Sequence, residues 1–237
     1  MRPARILVTG FQRSGPTLLR RLLCIHPKVR VVLHEARLLT NARTKKEACE
    51  QAVRFAKDRH QTTLDPVSDN WGDKVPFCVS KPSVGIVYCQ KWMEMFGDGA
   101  KVALIVRHPC DIVVSSKRSF SQGPANIMRA VHAFMPGFVQ FGLDSKRVHC
   151  LKFEELVSSP RSAMKGVFDF FDLDSGSSVL AHVADAGRDE LRYFDGIEED
   201  RAFAYREHPW RGPPVSNELL NVLNQVKGPK YELPVGP

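Results

Sequence analysis

What this chain lacks narrows its function before any motif is read. No run approaches the ~20 apolar residues that a membrane-spanning helix requires, so no span is expected. The chain enters a strand-like apolar run at Ile6, so no secretory leader is expected. The six cysteines (Cys24, Cys49, Cys78, Cys89, Cys110 and Cys150) contain no C-x-x-C pair. That spacing gives zinc no ligand set and suits a reduced, cytoplasmic protein. There is no acidic cluster for magnesium, no internal repeat and no linker. Blocks of like charge are also missing, although Lys and Arg outnumber Asp and Glu 34 to 26 and the net charge is +8. A scattered basic excess favours a nucleotide or a sulfated or acidic substrate over nucleic acid. With 43% apolar and 25% charged residues, 237 residues suffice for one large α/β domain, 1–237. The Pro- and Gly-rich end, 230–237, reads as a loose tail.

The most informative stretch is RILVTGFQRSGPTLLRRLL, residues 5–23. Ile6–Val8 is long enough for a buried strand. Gly10 and Gly15 bracket a tight loop, and Leu18, Leu19, Leu22 and Leu23 recur at helical spacing. Strand, glycine loop and helix together aim backbone N–H groups and a positive helix end at one small volume, which suits phosphate. The nearest standard pattern is the nucleotide P-loop, G-x-x-x-x-G-K-[ST]. Gly10, Gly15 and Thr17 fit it, but position 16 is proline where the lysine belongs. Hydrolysis of ATP or GTP is therefore disfavoured, and Arg13 supplies a cation within the loop. A strand–turn–helix with no ligand fits the same residues.

Further along, Val29–Leu33 reads as a second strand ending in His34, Glu35 and Arg37. Residues 41–60 read as a helix, and 61–75 as a loop in which Trp71 is either a core anchor or a substrate wall. Phe77–Val79 reads as a short strand ending at Lys81, followed by a helix from Val84 to Met95. The run V-A-L-I-V, 102–106, has the composition of a central parallel strand and ends in Arg107-His108-Pro109. Asp111 can cap a helix that carries Ser115. Residues 119–145, with two prolines and three glycines, read as irregular and as an acceptor-binding segment or lid. A strand at 147–153, a helix from Pro160, a short helix within 172–187, an irregular 188–212 and a helix at 215–226 complete the reading. The architecture expected is a single α/β domain with a central, mostly parallel sheet flanked by helices, P-loop-like. Ligands in such sheets lie beyond the carboxyl ends of the strands, where Arg13, Glu35, Lys81 and Arg107 would gather.

Three segments carry a resemblance. R-S-G-P-T at 13–17, R-H-P-C-D-I-V-V-S at 107–115 and K-F-E-E-L-V-S-S-P at 152–160 resemble, in order, the signatures of sulfotransferases that use 3′-phosphoadenosine 5′-phosphosulfate (PAPS). The likeness covers residues 5 to about 173. H-P-K-V-R at 26–30, E-A-R at 35–37 and a lysine 26 residues before Arg107 are most similar to the tyrosylprotein sulfotransferase branch. The resemblance implies that Arg13, Ser14, Gly15, Pro16, Thr17 and Leu18 hold the 5′-phosphosulfate, and that Arg107 and Ser115 hold the 3′-phosphate. It further implies that Glu35 and Lys81 are catalytic and that Arg37 lies at the substrate. The sequence departs from the branch at Pro16, in place of a threonine, and at Phe153, in place of a tyrosine.

Sulfuryl transfer needs a base for the acceptor and cations where charge builds up. Glu35 suits the base, with His34 as its rival. Strand alternation would let only one of them face the cleft. Arg13 and Lys81 would stabilise the leaving 5′-phosphate. PAPS is then the co-substrate and 3′,5′-adenosine bisphosphate (PAP) the product, with no metal needed. The acceptor is left open among small molecules, glycans and peptides, and a homodimer is allowed. Two other readings stand beside this one: a non-catalytic or degenerate nucleotide- or polyanion-binding module, and a P-loop small-molecule kinase.

Overall fold

Strand β1 (Arg5–Gly10) is buried along its whole length, as the middle of a parallel sheet must be. In the computed structural model, which describes residues 3–77, 83–116, 123–193 and 212–234, four strands accompany it. They are β2 (Val29–His34), β3 (Asn70–Lys74), β4 (Ala100–Val106) and β5 (Val148–Lys152). The order is β2-β3-β1-β4-β5, and every pairing is parallel. The helices are α1 (Pro16–Leu23), α2 (Leu38–Asn41), α3 (Lys45–His60), α4 (Ser83–Phe96), α5 (Pro109–Ser116) and α6 (Pro124–Asp144), followed by α7 (Phe153–Ser158), α8 (Pro160–Phe170), α9 (Ser177–Tyr193) and α10 (Asn217–Leu223). This is the single α/β domain with a parallel sheet that the sequence predicts.

Alternation along the strands creates two cores. Ile6, Val8, Ala103 and Ile105 point to one face and pack with Leu19 and Leu22 of α1 and Val167 and Phe168 of α8. Leu7, Val102, Leu104 and Val106 point to the other and pack with Trp92 of α4 and Val131 and Phe138 of α6. Each such side chain, once fully buried, contributes about 1.5–3 kcal/mol. The two layers hold the carboxyl edge of the sheet rigid, and every candidate site residue in the described chain lies near that edge.

Two expectations need correction, and two others are tested only in part. The segment 61–75 is not all loop, because Asn70–Lys74 is the strand β3. N-W-G-D-K shows no apolar alternation, so period gave no signal. The strand forms because Gly72 lets the Ile6 backbone pass where a Cβ would collide with the Ile6 carbonyl, and because Trp71 is fully buried against Trp92 and Phe96. Trp71 is thus a core anchor. Of the strand expected at Phe77–Val79, Phe77 makes a parallel bridge to Phe11, and Cys78 and Val79 lie outside the described residues. Most of 119–145 is the 21-residue helix α6, with Pro136 inside it. Its stripe of Ile127, Val131, Met135, Phe138 and Val139 is buried and outweighs the breakers. Within the expected tail, Tyr231 is 3% exposed and its N–H donates to Asn224 Oδ1 at 2.7 Å, Leu233 is exposed, and 235–237 lie outside the described residues. Two smaller differences are that the helix expected at 41–60 is split into α2 and α3, and that α9 runs on to Tyr193.

Candidate active site

The glycine loop is shaped by its own short bonds. Ser14 N–H donates to the Phe11 carbonyl at 3.0 Å. Its hydroxyl, fully buried, is placed 2.6 Å from the same carbonyl and 3.0 Å from that of Ile105. Ser14 is therefore a tie within the loop. Gly15 caps α1 with φ of +101°, and a Cβ there would strike the Phe153 ring, so only glycine fits. Pro16 occupies the first helical position, where its missing N–H costs nothing. The outward N–H groups at the start of α1 then belong to Gly15, Thr17 and Leu18.

Arg107 leaves the end of β4 on the same face as α1. Its guanidinium stacks 4.2 Å from the Phe153 ring centroid and donates to the Arg13 carbonyl at 3.2 Å. Arg13, with φ of +71°, turns back so that its Nε donates to Ser115 Oγ at 2.9 Å. The loop arginine, the strand-end arginine and the helix hydroxyl are thus assembled in one place. Arg107 is 7% exposed, yet its buried Nε has no hydrogen-bond partner. An unsatisfied guanidinium N–H is costly, and an anion bound here would satisfy it. Phe153 begins α7 instead of ending a strand, and so presents its ring to both Gly15 and Arg107.

The third part lies two strands away. β2 stops at His34, and Glu35 and Arg37 both take left-handed conformations, φ +57° and +50°. The break in the strand removes the alternation that would have separated His34 from Glu35. The turn carries the Glu35 carboxylate onto Lys74, with Lys74 Nζ to Glu35 Oε1 at 2.6 Å, while Arg37 stands off at 3.9 Å. Burial alone would raise the Glu35 carboxyl. The Lys74 hydrogen bond and charge, helped by His34 and Arg37, outweigh burial, so its pKa lies below the usual glutamate value and it stays ionised. Lys74 is 1% exposed, and burial pushes its ammonium down against the support of Glu35. Burial, with Lys74 second, also lowers His34 and leaves that imidazole neutral at pH 7.

Lys74 pairs with Val8 of β1 and His34 of β2, so it emerges on the α1 face, as Arg107 does. β3 and β4 flank β1, and two sheet spacings put them about 10 Å apart. The 75–77 segment runs beside the loop, with Gln12 N–H donating to the Phe77 carbonyl at 2.9 Å. The glycine loop is thus centred between the Arg107 turn and the Glu35–Lys74 pair.

The C-terminal segment braces the Arg107 turn. Glu154, fully buried, accepts the His108 N–H at 3.0 Å and the Tyr231 hydroxyl at 2.6 Å. His108 Nε2 lies 3.1 Å from the Glu232 carbonyl. Lys152 donates to the Pro229 carbonyl at 2.7 Å.

Of the residues singled out from sequence, Arg13, Ser14, Gly15, Pro16, Thr17, Leu18, Arg107 and Ser115 form one group, and His34, Glu35 and Arg37 a second. Lys81 lies outside the described residues. The lysine found on Glu35 is Lys74, which the sequence reading missed. Its one local signal is a charged Asp-Lys pair in the short run W-G-D-K-V-P, an uncommon content for a segment flanked by buried strands. Among the described residues no group of three His, Cys, Asp or Glu side chains is placed to hold a metal ion, and no helix is long and apolar enough to cross a membrane.

Comparison with known proteins bears on the fold and the family. No curated protein matches the chain. Among solved structures, the sulfotransferase domain from the curacin biosynthetic pathway superposes with a TM-score of 0.67 at 18% identity, covering 98% of this chain and 99% of that one. The sulfotransferase domain of the Synechococcus PCC 7002 olefin synthase gives 0.65 at 17%, covering 99% and 98%. A sulfotransferase from Alicyclobacillus acidocaldarius gives 0.53 at 15%, covering 86% and 96%. At these identities the likeness is one of fold. The model of the sulfotransferase family matches residues 3–176, a span that holds the glycine loop, the Glu35–Lys74 pair, Arg107, Ser115 and Phe153, and the chain belongs to that family.

Proposed function

We propose that this protein transfers the sulfuryl group of PAPS to a hydroxyl or amine of an acceptor, with Glu35 as the base. The observation that carries the reading is the alignment, along one sheet edge, of an anion-binding group at Arg107 and Ser115, the glycine loop, and an ionised carboxylate on a buried lysine.

The orphaned Arg107 Nε fits the 3′-phosphate, and Ser115 lies beside it through Arg13. The N–H groups of Gly15, Thr17 and Leu18 would hold the 5′ end, with Ser14 and Pro16 fixing the loop's shape. PAPS supplies an electrophilic sulfur and a phosphate leaving group. Glu35, ionised at neutral pH, takes the proton of the acceptor as that atom bonds to sulfur. As the bond from sulfur to the bridging oxygen breaks, its electron pair goes to the departing phosphate, and Lys74 and Arg13 offer positive charge where that negative charge builds up. Lys81, to which the sequence reading gave such a part, lies outside the described residues. A second service of Lys74 is to keep Glu35 ionised. His34, neutral and exposed on the same strand end, is the remaining candidate base. Arg37, exposed at the turn, suits an acidic group on the acceptor.

Titration calorimetry with PAP, beside ATP with magnesium, tests the donor class. The expected result is PAP binding that is lost in Arg107→Ala, with no ATP preference. Binding of magnesium-ATP in place of PAP would overturn the reading and favour a kinase. Given PAP binding, release of PAP from PAPS in the presence of a panel of phenols, sugars, amines and tyrosyl peptides tests turnover. PAP binding without turnover on any acceptor would leave a binding module.

A further inference from the structure

The turn that carries Glu35 is braced from outside as well as by its own bonds, such as Thr40 N–H to the Arg37 carbonyl at 2.9 Å. Two non-glycine residues, Glu35 and Arg37, sit in the left-handed region within three positions, a conformation that persists only where surroundings enforce it. The Lys74 carbonyl accepts the Glu35 N–H at 2.9 Å. The other enforcer is the neighbouring residue on β3, Asp73, whose side chain leaves the opposite face of the sheet. Asp73 is 0% exposed. Its Oδ1 accepts the Ala36 N–H at 3.1 Å and its Oδ2 the Leu38 N–H at 3.4 Å. The Tyr88 hydroxyl from α4 reaches the same Oδ2 at 3.4 Å and accepts the Leu39 N–H at 3.2 Å.

We infer that Asp73, supported by Tyr88, is a positioning residue that clamps the 35–38 turn from beneath and so holds the Glu35 carboxylate on Lys74. A buried carboxylate that only filled space would be unfavourable at this depth, and an apolar residue of similar size would serve better. The retained charge is accounted for by two amide donors on consecutive sides of Arg37, which a carboxylate can accept together through its two oxygens. Adjacent residues of one strand thus act from opposite faces of the sheet. Lys74 meets the Glu35 side chain on the α1 face, and Asp73 holds the Glu35 backbone from the other.

The inference rests on the sulfotransferase reading only for its consequence in turnover, and its first readout does not depend on turnover. In Asp73→Asn the amide keeps the size of the side chain but offers one acceptor oxygen. Carboxyl NMR of the purified protein would follow Glu35. Removing a nearby negative charge, by itself, can only lower the Glu35 pKa. Loss of the clamp lets Glu35 leave Lys74 and raises it towards the ordinary range. The two causes have opposite signs, and an upward displacement, together with faster hydrogen exchange at the Ala36 and Leu38 amides, is the expected result. An unchanged or lowered Glu35 titration overturns the inference. Should Asp73→Asn fail to fold, Tyr88→Phe, which removes one hydroxyl, decides by the same reading with a smaller upward displacement. In turnover, Asp73→Asn is expected to lower kcat by about 10²-fold, as a misplaced group does, with PAP affinity retained. On a Glu35→Gln background it should cost nothing more. If Glu35→Gln keeps full turnover while Asp73→Asn still displaces the titration, the base assignment fails and the clamp stands. If Glu35→Gln abolishes turnover and Asp73→Asn leaves kcat and the titration untouched, the clamp fails alone.

Discussion

The two ends of the site are held in different ways. Around the glycine loop, Ser14 ties to Phe11 three residues back, and Gly15, Pro16 and the start of α1 follow in the next few positions. The Glu35 turn draws on partners from afar: Lys74 is 39 residues on, and Tyr88 bonds Leu39 from 49 residues on. A phosphate cradle is a backbone device and is encoded by the few residues that bend the backbone. A carboxylate held on a buried lysine is a tertiary device, and it exists only once β3 has been inserted between β1 and β2. Perturbations should therefore separate the two ends, with binding lost at one and turnover at the other.

The largest expected effect is at the base. Glu35→Gln should lower turnover by about 10²–10⁴-fold and leave PAP affinity unchanged, measured as single-turnover PAP release and by calorimetry. At the opposite end, Arg107→Ala removes charge-assisted bonds of about 1.5–3 kcal/mol each and should weaken PAP by about 10²-fold. Lys74→Met tests the link between the ends. It should lower turnover by about 10²-fold and let the Glu35 carboxyl titrate upward, since the Lys74 hydrogen bond is what overcomes burial there.

The pH dependence gives a subtler separation. Burial raises the Asp73 carboxyl to about 6, against the pull of the Ala36, Leu38 and Arg37 amides, with Lys74, Arg20 and Tyr88 also facing it. Turnover should fall as pH drops through about 6, because a protonated Asp73 accepts fewer bonds from the turn. Stability moves the other way. The folded pKa lies above the unfolded one, so this group's contribution is fully present below the unfolded value and is lost as pH rises through about 6. Urea unfolding at pH 5 and pH 7 should show that contribution in the wild type and not in Asp73→Asn. The smallest effect is at the brace. Tyr231→Phe leaves the buried Glu154 short of one donor and should cost about 1–3 kcal/mol of stability, read by denaturant unfolding.

How much was legible follows from the same contrast. Arg13, Arg107 and Ser115 were readable because each belongs to a short contiguous pattern at a strand end. Glu35 was readable because a charge where an apolar run stops is conspicuous. Lys74 and Asp73 were not, because N-W-G-D-K has neither the period nor the composition of a strand and owes its conformation to Gly72 and to Ile6 of the neighbouring strand. The lysine counted back from Arg107, Lys81, lies outside the described residues. The helix α6 was missed for a different reason: Pro136 and Gly137 read as breaks, while the buried stripe around them settled the outcome.

The brace on the Arg107 turn bears on how the molecule comes into being. His108 is synthesised 124 residues before Glu232, and Glu154 77 residues before Tyr231, so both wait for these partners. The glycine loop and the Glu35–Lys74 pair lie upstream and can assemble first, whereas the Arg107 turn gains this support only after Tyr231 and Glu232 have been made. A copy that stops short of Tyr231 leaves Glu154 without that hydroxyl and the His108 ring without the Glu232 carbonyl.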